Sequence, residues 1–219
     1  MKEALVILPG ITADSAKRTF VLDYFARHTS FEVLLPPLWQ SFGIRGAAGQ
    51  LRRFLDKLGP YDRIHFLAYI SGGFILRAAM MADRLPLGNI VYVRAPVQEE
   101  VPPRFIRHRG RLVAALCWGR MLFDLSSDGK DELPYPCTPG VQGLVIEHGI
   151  SRLAGKLGLQ AQDFIRLRYS ARFKIPVVKD TWEARESHDD VYTSAALLAR
   201  IAQFLTTDTF QGSHRTQEN

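Results

Sequence analysis

Three short stretches of this 219-residue chain gather amide, hydroxyl and imidazole groups of the kinds that acyl transfer or acid–base catalysis uses. Leu8-Pro9-Gly10-Ile11-Thr12 closes an apolar run. Its glycine permits a tight turn and leaves amides free to face an anion, so Gly10 and Ile11 are candidate oxyanion or ligand contacts. Ala68-Tyr69-Ile70-Ser71-Gly72-Gly73 follows a second apolar run and offers the Ser71 hydroxyl and amide. Ser187-His188-Asp189-Asp190-Val191-Tyr192 supplies an imidazole ahead of the last helical stretch; the plain alternative is a surface histidine with Asp189 or Asp190 as N-cap. Two carboxylates could orient that imidazole: Glu147, at the end of an apolar run, and Asp163, 25 positions before His188. His28, His65, His108, His148 and His214 have weaker claims.

These groups need a scaffold, and the hydrophobic pattern supplies one. Six runs read as strands: Ala4–Leu8, Phe31–Leu35, Arg63–Ala68, Asn89–Arg94, Gln142–Glu147 and Ile175–Lys179. Most are continuously apolar and rich in β-branched residues, which suits parallel strands buried on both faces. Leu51, Phe54, Leu55 and Leu58 recur at helical spacing, as do Phe74, Arg77, Ala78 and Met81, and Leu197, Leu198, Ile201 and Leu205. Strand and helix in alternation imply an α/β domain with a mainly parallel sheet and helices on both faces. Residues 97–141 are too many for a structureless loop. They read as an inserted cap, helical over Arg111–Leu125 and proline-rich over Leu133–Pro139, with Leu112, Trp118, Met121 or Phe123 as apolar walls. Residues 1–205 make one domain, and 206–219 a polar, flexible tail.

The stretch around Ser71 resembles the α/β-hydrolase nucleophile elbow, a strand followed by small-x-nucleophile-x-Gly and a helix. Against the familiar Gly-His-Ser-x-Gly-Gly, Ala68 takes the first glycine, Tyr69 the histidine, Ile70 the serine, Ser71 the variable residue and Gly72-Gly73 the last two. The Leu-Pro-Gly loop some sixty residues earlier extends the resemblance, and Val93-Arg94-Ala95-Pro96 looks like the strand-to-proline junction of bacterial lipases. The resemblance, to small lipases and esterases, implies the α/β-hydrolase fold: about six strands in the order 2-1-3-4-5-6 with a small cap. It implies that His188 holds the general-base position after the last strand, and that the acid follows the fifth strand as Asp163 or Glu147. The usual Asp-Gly pair is missing, since Phe164 follows Asp163. Ile70 carries no heteroatom and cannot be acylated. A register shifted by one makes Ser71 the nucleophile and keeps Gly73 in place, but puts Tyr69 where the turn wants a small side chain.

Composition narrows the classes. A net charge of +6 invites a nucleic-acid reading, but the arginines are scattered and no aromatic-plus-basic motif accompanies them, so none is expected. Arg104–Arg111, the densest basic stretch, reads as a solvated face; attraction to an anionic substrate or partner is the better use of the charge. Two cysteines make no disulfide framework, and Cys117 in its apolar run reads as a buried small hydrophobe. The first apolar run is too short for a signal or a transmembrane segment, which points to the cytoplasm. No paired ligand spacing suggests a metal, because Glu147 and His148 are adjacent on a strand and point to opposite faces; no cofactor is expected.

Three functions compete. The first is a lipase-like pseudoenzyme that has lost its nucleophile and binds an apolar or acyl ligand, or a protein partner, in the cleft. The second is an active ester, thioester or lipid hydrolase using Ser71 and His188. The third is general acid–base chemistry by His188 with Asp163 or Glu147, without a covalent intermediate.

Overall fold

The computed structural model describes residues 1–80, 86–169 and 177–210. Six strands, β1 (Glu3–Leu8), β2 (Glu32–Leu34), β3 (Arg63–Tyr69), β4 (Leu87–Arg94), β5 (Gln142–Gly149) and β6 (Asp180–Ser187), pair in parallel in the order β2-β1-β3-β4-β5-β6, as expected. The crossovers carry α1 (Ser15–His28), α2 (Gly43–Leu55) and α3 (Ser71–Ala79). Between β4 and β5 lie α4 (Pro96–Glu99), α5 (Val101–Arg109), α6 (Arg111–Trp118) and α7 (Arg120–Ser126). After β5 come α8 (Arg152–Lys156) and α9 (Ala161–Arg168), and α10 (Ala195–Thr207) follows β6.

Side chains leave the central strands alternately, and the two sets build two cores. Val6, Leu8, Phe66, Ala68 and Tyr92 pack with Leu51 of α2 and Ile75 of α3. Leu5, Ile7, Leu67, Tyr69, Val91 and Val93 pack on the other face with Phe25 of α1 and Ile201 of α10. Burial on both faces explains why these strands read as unbroken apolar runs. The register of β1 on β3, Leu8 opposite Ala68, puts the loop after β1 beside the turn after β3.

Several expectations need correction. The last strand is not Ile175–Lys179: 175 and 176 lie outside the described residues, 177–179 precede the strand, and β6 is Asp180–Ser187. β6 is an edge strand with one neighbour and a half-exposed surface, so it need not be apolar, and the richer run nearby masked it. The helix expected over Arg111–Leu125 breaks at Gly119, which has φ 59° and lies against the Ser41 backbone, where a Cβ would come within 2.5 Å of the carbonyl oxygen. Cys117 is exposed rather than buried, because α6 turns only Ala114 fully inward. The tail does not begin at 206. α10 continues to Thr207, and Phe210 is fully buried against Phe204, with ring centroids 4.4 Å apart.

Candidate active site

The turn between β3 and α3 is a single residue, Ile70, with φ 17° and ψ −87°. Its amide donates to Val93 O, which ties the turn to β4. Gly72 shows why the chain needs small residues here. A Cβ on it would sit 2.2 Å from Leu8 O, so α3 starts in direct contact with the end of β1. Tyr69 still belongs to the strand, and its ring stacks on Tyr192 at 4.1 Å in the core of the opposite face. Burial drives both phenols well above their ordinary pKa, so they stay neutral. Ser71 is the first residue of α3 and only 1% exposed; its hydroxyl donates to Gln40 Oε1 at 2.8 Å. Gln40 in turn donates to Pro9 O, so the Ser71 side chain is fixed to the loop after β1.

His188 follows β6 directly, 6% exposed, and Nδ1 lies 3.0 Å from Glu147 Oε2. Glu147 sits near the end of β5 and its side chain has no exposed surface. A carboxylate accepts hydrogen bonds, so the contact fits the tautomer with its proton on Nδ1, which leaves Nε2 as the acceptor on the cavity side. Nε2 lies 3.3 Å from Thr12 Oγ1. Sequence reasoning missed Thr12 as a functional residue: a threonine in a loop has no spacing signature, and only the Leu-Pro-Gly turn hinted at it. Gln40 was missed for the same reason.

Asp163 is not brought to this site. It lies in the first turn of α9, which starts at Ala161, where it closes a capping box with Gln160 N (2.9 Å) and pairs with Arg166. The backbone hydrogen bond from Gln160 and then Arg166 hold its carboxyl below the ordinary range. The Gly10 amide is also engaged, donating to the Tyr192 hydroxyl at 2.8 Å. Ile11 N has no hydrogen-bond partner among the described residues, and the amide of Ser71, at the first position of α3, has none within the helix.

Ile11, Thr12, Ile70, Ser71 and His188 line one cleft, part of it open to solvent. Its far wall comes from the β4–β5 interval: Val101 and Pro102 of α5, Trp118 of α6, and Leu122 and Leu125 of α7. Of the expected walls only Trp118 lines it. Met121 is buried beside it, Phe123 lies under the Arg111 guanidinium, and Leu112 is 75% exposed. The lining is chiefly apolar; its polar groups are Thr12, Ser71 and His188 beside the strand ends and Gln98, Glu99 and Lys130 from the β4–β5 interval.

No family model matches this chain, and no curated protein matches its sequence. Solved structures do match. An α/β-hydrolase enzyme from the sediment metagenome of the Mar Chica lagoon superimposes with a TM-score of 0.58 at 19% identity, covering 95% of this chain and 93% of that one. A lipase-esterase related protein of Clostridium acetobutylicum gives 0.59 at 12%, over 92% and 94%. Tomato methylketone synthase I, complexed with 2-tridecanone, gives 0.55 at 11%, over 94% and 99%. Sheet order, crossover helices and these superpositions agree: the chain has the α/β-hydrolase fold.

Proposed function

We propose that the protein binds a carbonyl compound with an alkyl chain in the cavity and moves a proton on it through His188, with no acyl-enzyme intermediate. The observation that carries this reading is the Glu147–His188 pair, buried and aimed by Nε2 at Thr12 and the cavity, beside a turn occupied by Ile70. Ile70 stands where the elbow's serine would be, and its side chain has no atom to acylate. Ser71 is a poor substitute, since its hydroxyl is given to Gln40. A merely vestigial cleft has no need of a desolvated carboxylate held on an imidazole, an arrangement that is costly to keep.

Apolar walls suit an alkyl chain, and the Ile11 and Ser71 amides suit a carbonyl oxygen that gains negative charge as the proton moves. With Nδ1–H held by Glu147, Nε2 takes the proton from carbon and the imidazolium formed is stabilised by the carboxylate. Thr12 positions the ligand, and the imidazolium returns the proton to carbon. Residues 97–141 act as the cap. Tomato methylketone synthase I was solved in complex with β-ketoheptanoate and with 2-tridecanone, both alkyl-chain carbonyl compounds, which supports the ligand class.

Two measurements test this. Intact-mass analysis after a serine-directed fluorophosphonate should find no adduct. In D₂O, deuterium uptake next to the carbonyl of a medium-chain methyl ketone should run above the buffer rate, and His188→Ala should lower it about 10²-fold or more. A Ser71 adduct, or uptake indifferent to His188→Ala, sinks the proposal.

A further inference from the structure

α6 is an apolar helix with little of its surface covered. Among its eight residues only Ala114 is fully buried; Leu112 is 75% exposed, Leu116 79% and Val113 42%. Leu112 and Leu116 stand four apart and Val113 and Leu116 three apart, so they form one outward ridge. Gly119, which ends the helix, packs on Ser41, and this sets the stacked, exposed rings of Trp39 and Phe42 beside the end of the ridge. A soluble surface rarely gathers so many large apolar groups without a use for them.

The charge around the ridge says what that use is. Arg107, His108 and Arg109 close α5 and Arg111 opens α6, all of them exposed. Arg107, Arg109 and Arg111 have no carboxylate within ion-pair distance among the described residues. Arg104, Arg107, His108 and Lys156 line an open groove between α5 and α8, which carries the positive field further along α5. Leucines standing among arginines that no carboxylate neutralises match a surface that is apolar inside and anionic at its rim. A second copy of the chain, docked on the same ridge, would set arginine against arginine. A nucleic acid would leave the leucines unsatisfied. No helix among the described residues is long and apolar enough to cross a membrane, so the contact is with a surface.

We infer that α6, with the arginines at its start, docks the protein on an anionic lipid bilayer. Trp118, the last residue of α6, lines the cavity, so the docked helix is also part of the cavity wall. The docking rests on the surface alone and stands whatever chemistry His188 performs.

Vesicle cosedimentation tests it. The protein should bind vesicles of equimolar phosphatidylcholine and phosphatidylglycerol, lose that binding as salt is raised, and ignore pure phosphatidylcholine. Leu112→Ser with Leu116→Ser should weaken binding at least tenfold, and Arg107→Gln and Arg109→Gln should each weaken it about fivefold. All four positions are exposed, so urea midpoints should match the parent chain, and the arginine pair keeps the test decisive if the leucine pair folds badly. Failure to bind the anionic vesicles, or equal binding by the leucine variant, overturns the inference. So does a dimer that the leucine substitutions dissolve, which would assign the ridge to a second copy.

Discussion

Glu147 keeps a carboxylate away from water, and the only hydrogen-bond partner its side chain has among the described residues is the His188 ring. The two halves of this pair are unequal. A neutral imidazole beside a cavity tolerates the loss of a charged neighbour; a carboxylate that loses its donor does not. His188→Ala should therefore cost about 3 kcal/mol of stability, at the low end for breaking a buried pair because the cavity admits water. Glu147→Gln, which leaves an amide of the same shape against the ring, should cost about 1 kcal/mol. Urea unfolding of the two variants checks the order; equal losses would mean that the pair is neutral or that water already solvates Glu147. From the sequence alone Glu147 and Asp163 are equal candidates, because spacing does not say which way a carboxylate points from its strand or helix. Asp163 caps its own helix, whereas Glu147 reaches His188 across the β5–β6 pair.

At the scale of elements, what was legible followed from burial. β1, β3, β4 and β5 each have neighbours on both sides, and their apolar runs announced them, while their order was implied by the resemblance to the α/β-hydrolase elbow. β6 lacks a second neighbour, and its sequence Asp-Thr-Trp-Glu-Ala-Arg-Glu-Ser carries no such run. The helix expected at 111–125 was legible as helical, but neither its break nor its outward leucines were, because an apolar run does not reveal which side is covered. Gly119 shows the physical reason for the break, and it is open to test. Its φ of 59° and the contact with Ser41 leave no room for a side chain. Gly119→Ala should cost about 1–3 kcal/mol. Gly155, inside α8 with open space around it, is the control: Gly155→Ala should add about 0.5–1 kcal/mol. Denaturant midpoints moving the same way for both would refute the account of the break.

The whole molecule is tied together away from the cavity, by polar groups at the opposite end of the sheet. His65 in β3 is 2% exposed, and its Nδ1 accepts from Asn89 N of β4 at 3.1 Å. Asn89 then donates to Leu205 O and Asp208 Oδ1 at the end of α10, and its Oδ1 accepts from Val141 N ahead of β5. One imidazole thus helps hold two strands and the last helix in place, and it does so as an acceptor, in the neutral form. Burial lowers the His65 pKa from its ordinary 6.5; Glu3, 3.8 Å from Nε2, and Asp208 oppose that shift, and Arg63 adds to it. The sign of the linkage follows. Above about 6.5 both folded and unfolded chains hold neutral His65, and its contribution is intact. As pH falls through 6.5 towards the depressed folded value, the unfolded chain takes a proton that the folded chain refuses, and stability drops by up to about 1.4 kcal/mol per pH unit. Below the folded value the loss levels off. His65→Asn offers an amide oxygen near the position of Nδ1 and cannot titrate. Urea midpoints measured between pH 7.5 and 5 (about the range over which a histidine changes charge) should fall more steeply for the parent chain than for this variant. Parallel curves would show that His65 is solvated or already charged in the folded protein, and that the Asn89 junction does not depend on its lone pair.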